Sequence, residues 1–207
     1  MKLIVITTEN FFIDEANAVN MLFENGLETL HLRKPKVDKK ETENFIKQIN
    51  TNFHSRIVLH DYYILLDMFN LKGIHLHNRN QKNNDMAQFS TKHMLSASHS
   101  CHSLEEVAGA QIYDYVFLSP VFDSISKVGY KKAFTPQQLT EAKENNIINE
   151  NVIALGGITA ENIPTANRYG FGGVAVIGAL WGDFAVDGNK DELLKRFDEL
   201  NIKCLNR

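Results

Sequence analysis

The chain has 207 residues, enough for one α/β domain with a full core. Its 22 Lys and Arg against 25 Asp and Glu leave a net charge of −3, which excludes a general nucleic-acid binder, because such a protein would be clearly basic. Two cysteines, Cys101 and Cys204, are too few for a disulfide framework, and MKLIVITTEN is too short in its apolar run for a signal peptide. No run reaches the roughly 20 apolar residues of a membrane span, so a soluble cytoplasmic protein is expected.

Short β-branched runs alternate with longer amphipathic stretches. The first strand is expected in KLIVITT from Lys2. In the helix that follows, IDEANAVNMLFENG, Ala16, Val19, Leu22 and Phe23 share one face and Gly26 offers a C-terminal cap. The second strand is ETLHLRK from Glu28. Its helix is DKKETENFIKQIN, with Asp38 as N-cap and Phe45, Ile46 and Ile49 grouped together. Strands three and four are RIVLHD from Arg56 and GIHLH from Gly73, with a weak helical pattern in NNDMAQFST. HMLSASHS from His93 is the fifth strand, and the helix after it carries Ser103 and Glu106 at capping-box spacing. YVFLSP from Tyr115, NVIALGG from Asn151 and GGVAVIG from Gly172 complete eight strands. The last helices are read in TAENIPTANRYG and DELLKRFDEL.

Eight strands alternating with helices fit a closed (β/α)8 barrel or an open doubly wound sheet. ITTENFF has no Gly-x-Gly after the first strand, which removes the dinucleotide-binding form of the open sheet. Each strand ends in polar or glycine residues, placing one polar ring around one mouth. A single closed barrel spanning 1–207 is therefore expected, with its chemistry at the strand C-termini.

The mouth residues suggest phosphate chemistry. Gly156 and Gly157 after the seventh strand, and Gly178 after the eighth, can bring backbone N–H groups and helix N-termini to an anion; alternatively they only make tight turns. Ser124, Ser126 and Lys127 in the sixth loop suit a phosphate or pyrophosphate, or form a solvated surface loop. Asp61 is a candidate Mg²⁺ ligand or the N-cap of the helix in YYILLDMF. His31, His60, His75, His77 and His99 lie in or at strands, but no local spacing fixes a zinc ligand set.

The ordered set LHLRK, VLHD, GIHL, SHSCHSLEEV, YVFLSPVFDSISK, VIALGGI and GVAVIGAL resembles the thiamine phosphate synthase superfamily, which includes the thiazole tautomerases. The resemblance covers essentially the whole chain. It implies a (β/α)8 barrel and a transferase that joins hydroxymethylpyrimidine diphosphate to hydroxyethylthiazole phosphate with Mg²⁺, releasing pyrophosphate. It further implies that Arg33 holds the diphosphate, that Ser100 lies near it, and that Lys127 contacts the pyrophosphate. By the same resemblance Asp61 is a metal ligand, Ser124 and Ser126 replace two threonines at the thiazole phosphate, and Gly157, Ile177 and Gly178 form the phosphate grip. His31 and His60 stand where the synthases have a glutamine and an asparagine at the substrate.

Three departures weaken that set. Pro35 replaces a lysine, leaving Lys34 or Lys36 to substitute. Asn80 replaces a second metal aspartate, so a weakened Mg²⁺ site is expected. The tautomerase branch has a histidine after the sixth strand, where this chain has Pro120. The synthase is the expected activity. The alternatives are a tautomerase-like isomerase, using His60, His77 or His99 as acid/base, and a non-catalytic barrel binding thiamine precursors. Phosphorylated small molecules are the expected partners, and the sequence leaves self-association open.

Overall fold

All eight strand segments form where short, largely buried runs lie between turns, β-branched in β1, β3, β6, β7 and β8 but not in β2 (Leu-His-Leu) or β5 (Ser-Ala-Ser-His-Ser-Cys). The structure is a computed structural model and describes residues 1–77, 95–123 and 132–206. The strands are β1 (Lys2–Ile6), β2 (Leu30–Leu32), β3 (Ile57–Leu59), β4 (Gly73–Leu76), β5 (Ser96–Cys101), β6 (Tyr115–Leu118), β7 (Val152–Leu155) and β8 (Gly173–Val176). They close in sequence order into one parallel barrel, with Leu3 opposite Val174 where β1 meets β8. This is the closed barrel expected from the sequence.

Alternation along each strand divides the side chains between the barrel interior and an outer layer, where Ile74, Leu76 and Ala97 of β4 and β5 form a small cluster of their own. Leu30, Leu32, Ile57, Leu59, Val116, Leu118, Val174 and Val176 belong to the larger core shared with the helices. Ile4, Ile6, Tyr115, Phe117, Ile153 and Ala175 form a separate cluster inside the barrel. The remaining interior, on the side of β2 to β5, holds buried His31, His60, His75 and Ser98.

Helix ends follow local chemistry. α1 (Glu15–Glu24) buries Ala16, Ala18, Val19, Leu22 and Phe23, and Gly26 after it takes φ 98°. α2 (Lys39–Gln48) starts on a complete capping box of Asp38 and Glu41. At α3 (Leu104–Gly109) the expected box is half made. Ser103 Oγ accepts from the Glu106 amide, but Glu106 Oε2 reaches back one residue further, to the His102 amide. α4 (Pro136–Glu144) has its own box from Thr135 and Gln138.

After β7 the helix does not begin near Thr159 as expected. Asn162 accepts from the Thr159 amide and donates to the Gly157 carbonyl, closing a turn that delays α5 (Ile163–Arg168). Two short helices, α6 (Gly178–Trp181) and α7 (Phe184–Asp187), precede α8 (Lys190–Leu205). Trp181 Nε1 donates to the Ile6 carbonyl at 2.8 Å, which fixes α6 against the end of β1 and satisfies a buried donor. Both cysteines are free and buried, and burial pushes each thiol up to about 11. Among the described residues, no helix is long and apolar enough to cross a membrane.

Candidate active site

The C-terminal ends of the strands surround a cavity of about 530 Å³. Arg33, Glu9, His60, His75, His77, Ser100, His102 and Ser119 supply its polar lining; Ile6, Phe117, Leu155 and Ile177 supply apolar walls. The mouth expected from strand-end polarity is therefore real, and Arg33, His60, Ser100 and Ile177 are brought together there.

Arg33 leaves β2 at the rim. Its NH1 donates to Glu9 Oε1 at 3.0 Å, and its backbone amide donates to Thr7 Oγ1 at 2.9 Å. Those contacts aim a half-exposed guanidinium across the opening. Lys34 turns the other way. Its Nζ lies 2.7 and 2.8 Å from the two Glu15 oxygens, donates to the Asn10 carbonyl, and sits 4.5 Å from the Phe11 ring centroid. Lys34 is only 3% exposed, so it cannot replace the lysine lost at Pro35. Burial works against the charge on both Lys34 and Glu15, and their mutual attraction opposes it.

His31 is fully buried beneath the cavity and does not line it. Its Nδ1 hydrogen-bonds His60 Nε2 at 2.9 Å and its Nε2 hydrogen-bonds the Tyr115 hydroxyl at 2.7 Å. His75 stacks on His60 with ring centroids 4.2 Å apart, and its two nitrogens meet Ser98 Oγ at 2.9 Å and Ser100 Oγ at 2.8 Å. Desolvation, joined by nearby positive charge, holds His31 down to about 3 and keeps His60 and His75 well below the usual imidazole value. The floor is thus neutral and hydrogen-bonded, and Ser100 is oriented from below by His75.

The other expected positions divide clearly. His77 lines the cavity, and its Nε2 lies 3.9 Å from Oδ1 of Asp61, which is not itself in the cavity lining. Asp61 is not a helix cap: the short 3-10 helix Tyr63–Asp67 follows Tyr62 at its N-cap position, with φ 56° and no side-chain cap. His99 points away from the barrel interior. Its ring stacks on Tyr113 at 4.9 Å, and its buried Nε2 has no hydrogen-bond partner among the described residues.

Gly156 and Gly157 take φ 92° and 65°, and a Cβ on Gly157 would lie 2.3 Å from the Asp123 carbonyl oxygen. The tight turn is therefore required in its own right, whether or not the amides also face an anion. Gly178 opens α6, so its N–H has no intrahelical acceptor. Asn80, Ser124, Ser126 and Lys127 lie outside the described residues.

Sequence reasoning missed Tyr115, Glu9 and His102. YVFL alternates Tyr115 and Phe117 inward with Val116 and Leu118 outward, a period-two signal that places Tyr115 under the site. Nothing in the first loop singles out Glu9. His102 stands out in the sequence only as part of a motif; its Nδ1 meets the Ser119 carbonyl at 3.2 Å and Oγ at 3.3 Å.

Comparison with known proteins supplies the remaining identification. A solved thiamine phosphate pyrophosphorylase from Bacteroides thetaiotaomicron is 39% identical, with a TM-score of 0.86 and full coverage of both chains. The thiamine-phosphate synthase of Enterobacter sp. (strain 638) is 27% identical over 173 residues, covering 81% of each protein. The Limosilactobacillus reuteri synthase is 27% identical over 140 residues, which span 66% of this chain and 63% of that protein. The tryptophan synthase α-subunit of Pyrococcus furiosus, at 14% identity and a TM-score of 0.67, shares the fold. A family model described as thiamine monophosphate synthase matches residues 3–180, from β1 through α6 and hence every strand that builds the mouth. The chain belongs to the thiamine monophosphate synthase family, whose named members are transferases.

Proposed function

We propose that the protein couples hydroxymethylpyrimidine diphosphate to hydroxyethylthiazole phosphate, releasing pyrophosphate and forming thiamine phosphate. The observation that carries this reading is the 530 Å³ cavity at the strand C-termini. Among the described residues, Arg33 is the one Lys or Arg that lines it, and the floor is held neutral. The bond between the pyrimidine methylene and the diphosphate oxygen breaks, and the thiazole nitrogen forms the new C–N bond. Such a step needs charge stabilisation on the leaving group more than it needs a base.

Arg33 would hold the diphosphate with its guanidinium, and Ser100 would donate its hydroxyl while accepting from His75. Gly157, Ile177 and Gly178 would receive the thiazole phosphate on backbone amides, with Ser124, Ser126 and Lys127 closing on the phosphates. His60 would contact the pyrimidine from the cavity floor. His31 would support it from beneath rather than touch substrate, which revises its expected substrate-binding role.

Asp61 fits a magnesium site of the weak kind expected. It offers one partly exposed carboxylate beside the cavity-lining His77, and Mg²⁺ commonly takes one or two carboxylates together with substrate phosphates and water. The ion would neutralise charge on the leaving diphosphate.

Incubating purified protein with Mg²⁺ and both substrates should yield thiamine phosphate. No product above background, beside an active control enzyme, would overturn the reading. One observation keeps an isomerase in view: His102 sits against Ser119, next to Pro120, where the tautomerase branch has its histidine. Turnover of a thiazole phosphate carboxylate in EDTA, lost in His102→Ala, would favour that activity.

A further inference from the structure

Below the mouth lies a group of side chains that the proposed coupling does not need in this form. A hydrogen-bonded floor could be built from amides or hydroxyls; here three imidazoles, one in β2, one immediately after β3 and one in β4, meet inside the barrel. Each of His31, His60 and His75 presents a ring nitrogen, and these atoms all lie within 4.8 Å of one another. We propose that His31, His60 and His75 form a binding site for one divalent transition cation of the zinc class, with its fourth coordination position open to the cavity above.

The chemistry of the donor set favours such an ion. Three neutral imidazoles suit zinc, cobalt or nickel, whereas magnesium and calcium prefer oxygen ligands. Three protein ligands plus one exchangeable position is the pattern of an open tetrahedral site. For His31 and His75 the partners of the non-ligating nitrogens are already in place. If His31 turns Nδ1 to the cation, its Nε2–H donates to the Tyr115 hydroxyl at 2.7 Å. Whichever nitrogen His75 uses, the other meets a serine hydroxyl, from Ser98 or Ser100. Such outer contacts fix ring orientation and raise ligand basicity.

The geometry asks for a modest adjustment. Zinc–nitrogen bonds of about 2.0–2.1 Å set tetrahedral nitrogens roughly 3.3 Å apart. His31 Nδ1 and His60 Nε2 stand at 2.9 Å, so they must separate slightly, while the His75 ring must tilt out of its stack on His60. Access is direct, since His60 and His75 both line the cavity. This site is separate from Asp61 and His77, and the neutral floor described above is that of the metal-free protein.

The test uses the full chain stripped with EDTA, dialysed, and titrated with Co²⁺ at neutral pH. The expected result is visible d–d absorption of a four-coordinate ion, saturating at one equivalent per chain, displaced by Zn²⁺ and unaffected by millimolar Mg²⁺. His75→Ala should weaken Co²⁺ binding more than about tenfold, and Tyr115→Phe, which keeps the ring but removes the partner of His31, by about 10–100-fold. Asp61→Asn and His77→Ala should leave the titration unchanged. If His75→Ala does not fold, as judged by circular dichroism, Tyr115→Phe and the wild-type titration decide. Absence of a saturating one-equivalent signal from the wild-type protein, or a signal that follows Asp61 and His77 but not Tyr115, would overturn the proposal.

Discussion

Arg33 NH1 donates to Glu9 Oε1 at 3.0 Å across the cavity mouth, so the cation proposed for the diphosphate already has an anionic partner. The diphosphate must compete with that carboxylate. Both side chains are partly exposed, at 29% and 44%, and such pairs contribute only about 0.2–1 kcal/mol. Glu9→Gln should therefore lower KM for the diphosphate by about 1.4- to 5-fold with kcat nearly unchanged. Steady-state kinetics at fixed Mg²⁺ check this; a raised KM would show instead that Glu9 helps to bind the substrate.

Lys34 and Glu15 form the opposite kind of pair, with side chains 2% and 1% exposed. Removing one partner strands a buried charge and should cost about 3–5 kcal/mol. Lys34→Met is expected to lower the melting temperature sharply, and Lys34→Met combined with Glu15→Leu should recover much of the loss. Urea denaturation of both variants measures the difference. A mild Lys34→Met would mean that Glu15 simply takes up a proton.

The barrel was legible because its strands are short, mostly β-branched and bounded by polar or glycine residues, and period-two alternation then assigns each side chain to the barrel interior or to the layer under the helices. The mouth was legible for the same reason, since polar strand ends can only ring one opening. The separate fates of Arg33 and Lys34 were not legible. Adjacent residues after β2 diverge because Glu15, brought close by α1, captures Lys34, and that pairing is visible only in three dimensions. The histidine cluster was hidden similarly. His31, His60 and His75 are far apart in sequence and meet through the barrel's register, whereas His77, two residues from His75, ends at the rim.

Acid should destabilise the metal-free protein through that cluster. His31 titrates near 3 when folded, mainly because burial penalises its charged form, against about 6.5 when unfolded. Its folded value is depressed, so the unfolded chain binds more protons below pH 6.5. Stability is full above about pH 7 and falls as the pH drops toward 3. For His31 alone the loss is roughly 2 kcal/mol at pH 5, with His60 and His75 adding in the same direction. Denaturant midpoints in EDTA at pH 7.5 and 5 provide the measurement, and His31→Gln should flatten the difference. A wild-type midpoint that did not move would contradict a buried neutral cluster.

Gly157 tests whether turn and grip are one feature. Its φ of 65° and the 2.3 Å that would separate an added Cβ from the Asp123 carbonyl oxygen leave no room for alanine. Gly157→Ala should cost about 2 kcal/mol or more, lowering the melting temperature by roughly 4–8 °C, and should raise KM for the thiazole phosphate. Gly26→Ala is the control. It shares the left-handed backbone, at φ 98°, but meets nothing within 4 Å, so it should show strain alone and unchanged kinetics.

The proposed magnesium site makes the sharpest distinction between the two enzymatic readings. Asp61 is the one carboxylate that the family resemblance assigns to the ion, and position 80 carries Asn where the synthases have a second anion. A neutral oxygen compensates less for the water that Mg²⁺ gives up, so half-maximal activity should need unusually high Mg²⁺. Asn80→Asp should lower that requirement by about tenfold, corresponding to roughly 1.4 kcal/mol, and Asp61→Asn should nearly abolish coupling. Activity is read as thiamine phosphate formed across a Mg²⁺ titration for each protein. Superimposable curves for the wild type and Asn80→Asp would remove position 80 from the metal site. Turnover that ignored EDTA would remove magnesium from the reaction and leave the isomerase, with His102 as the acid/base to substitute next.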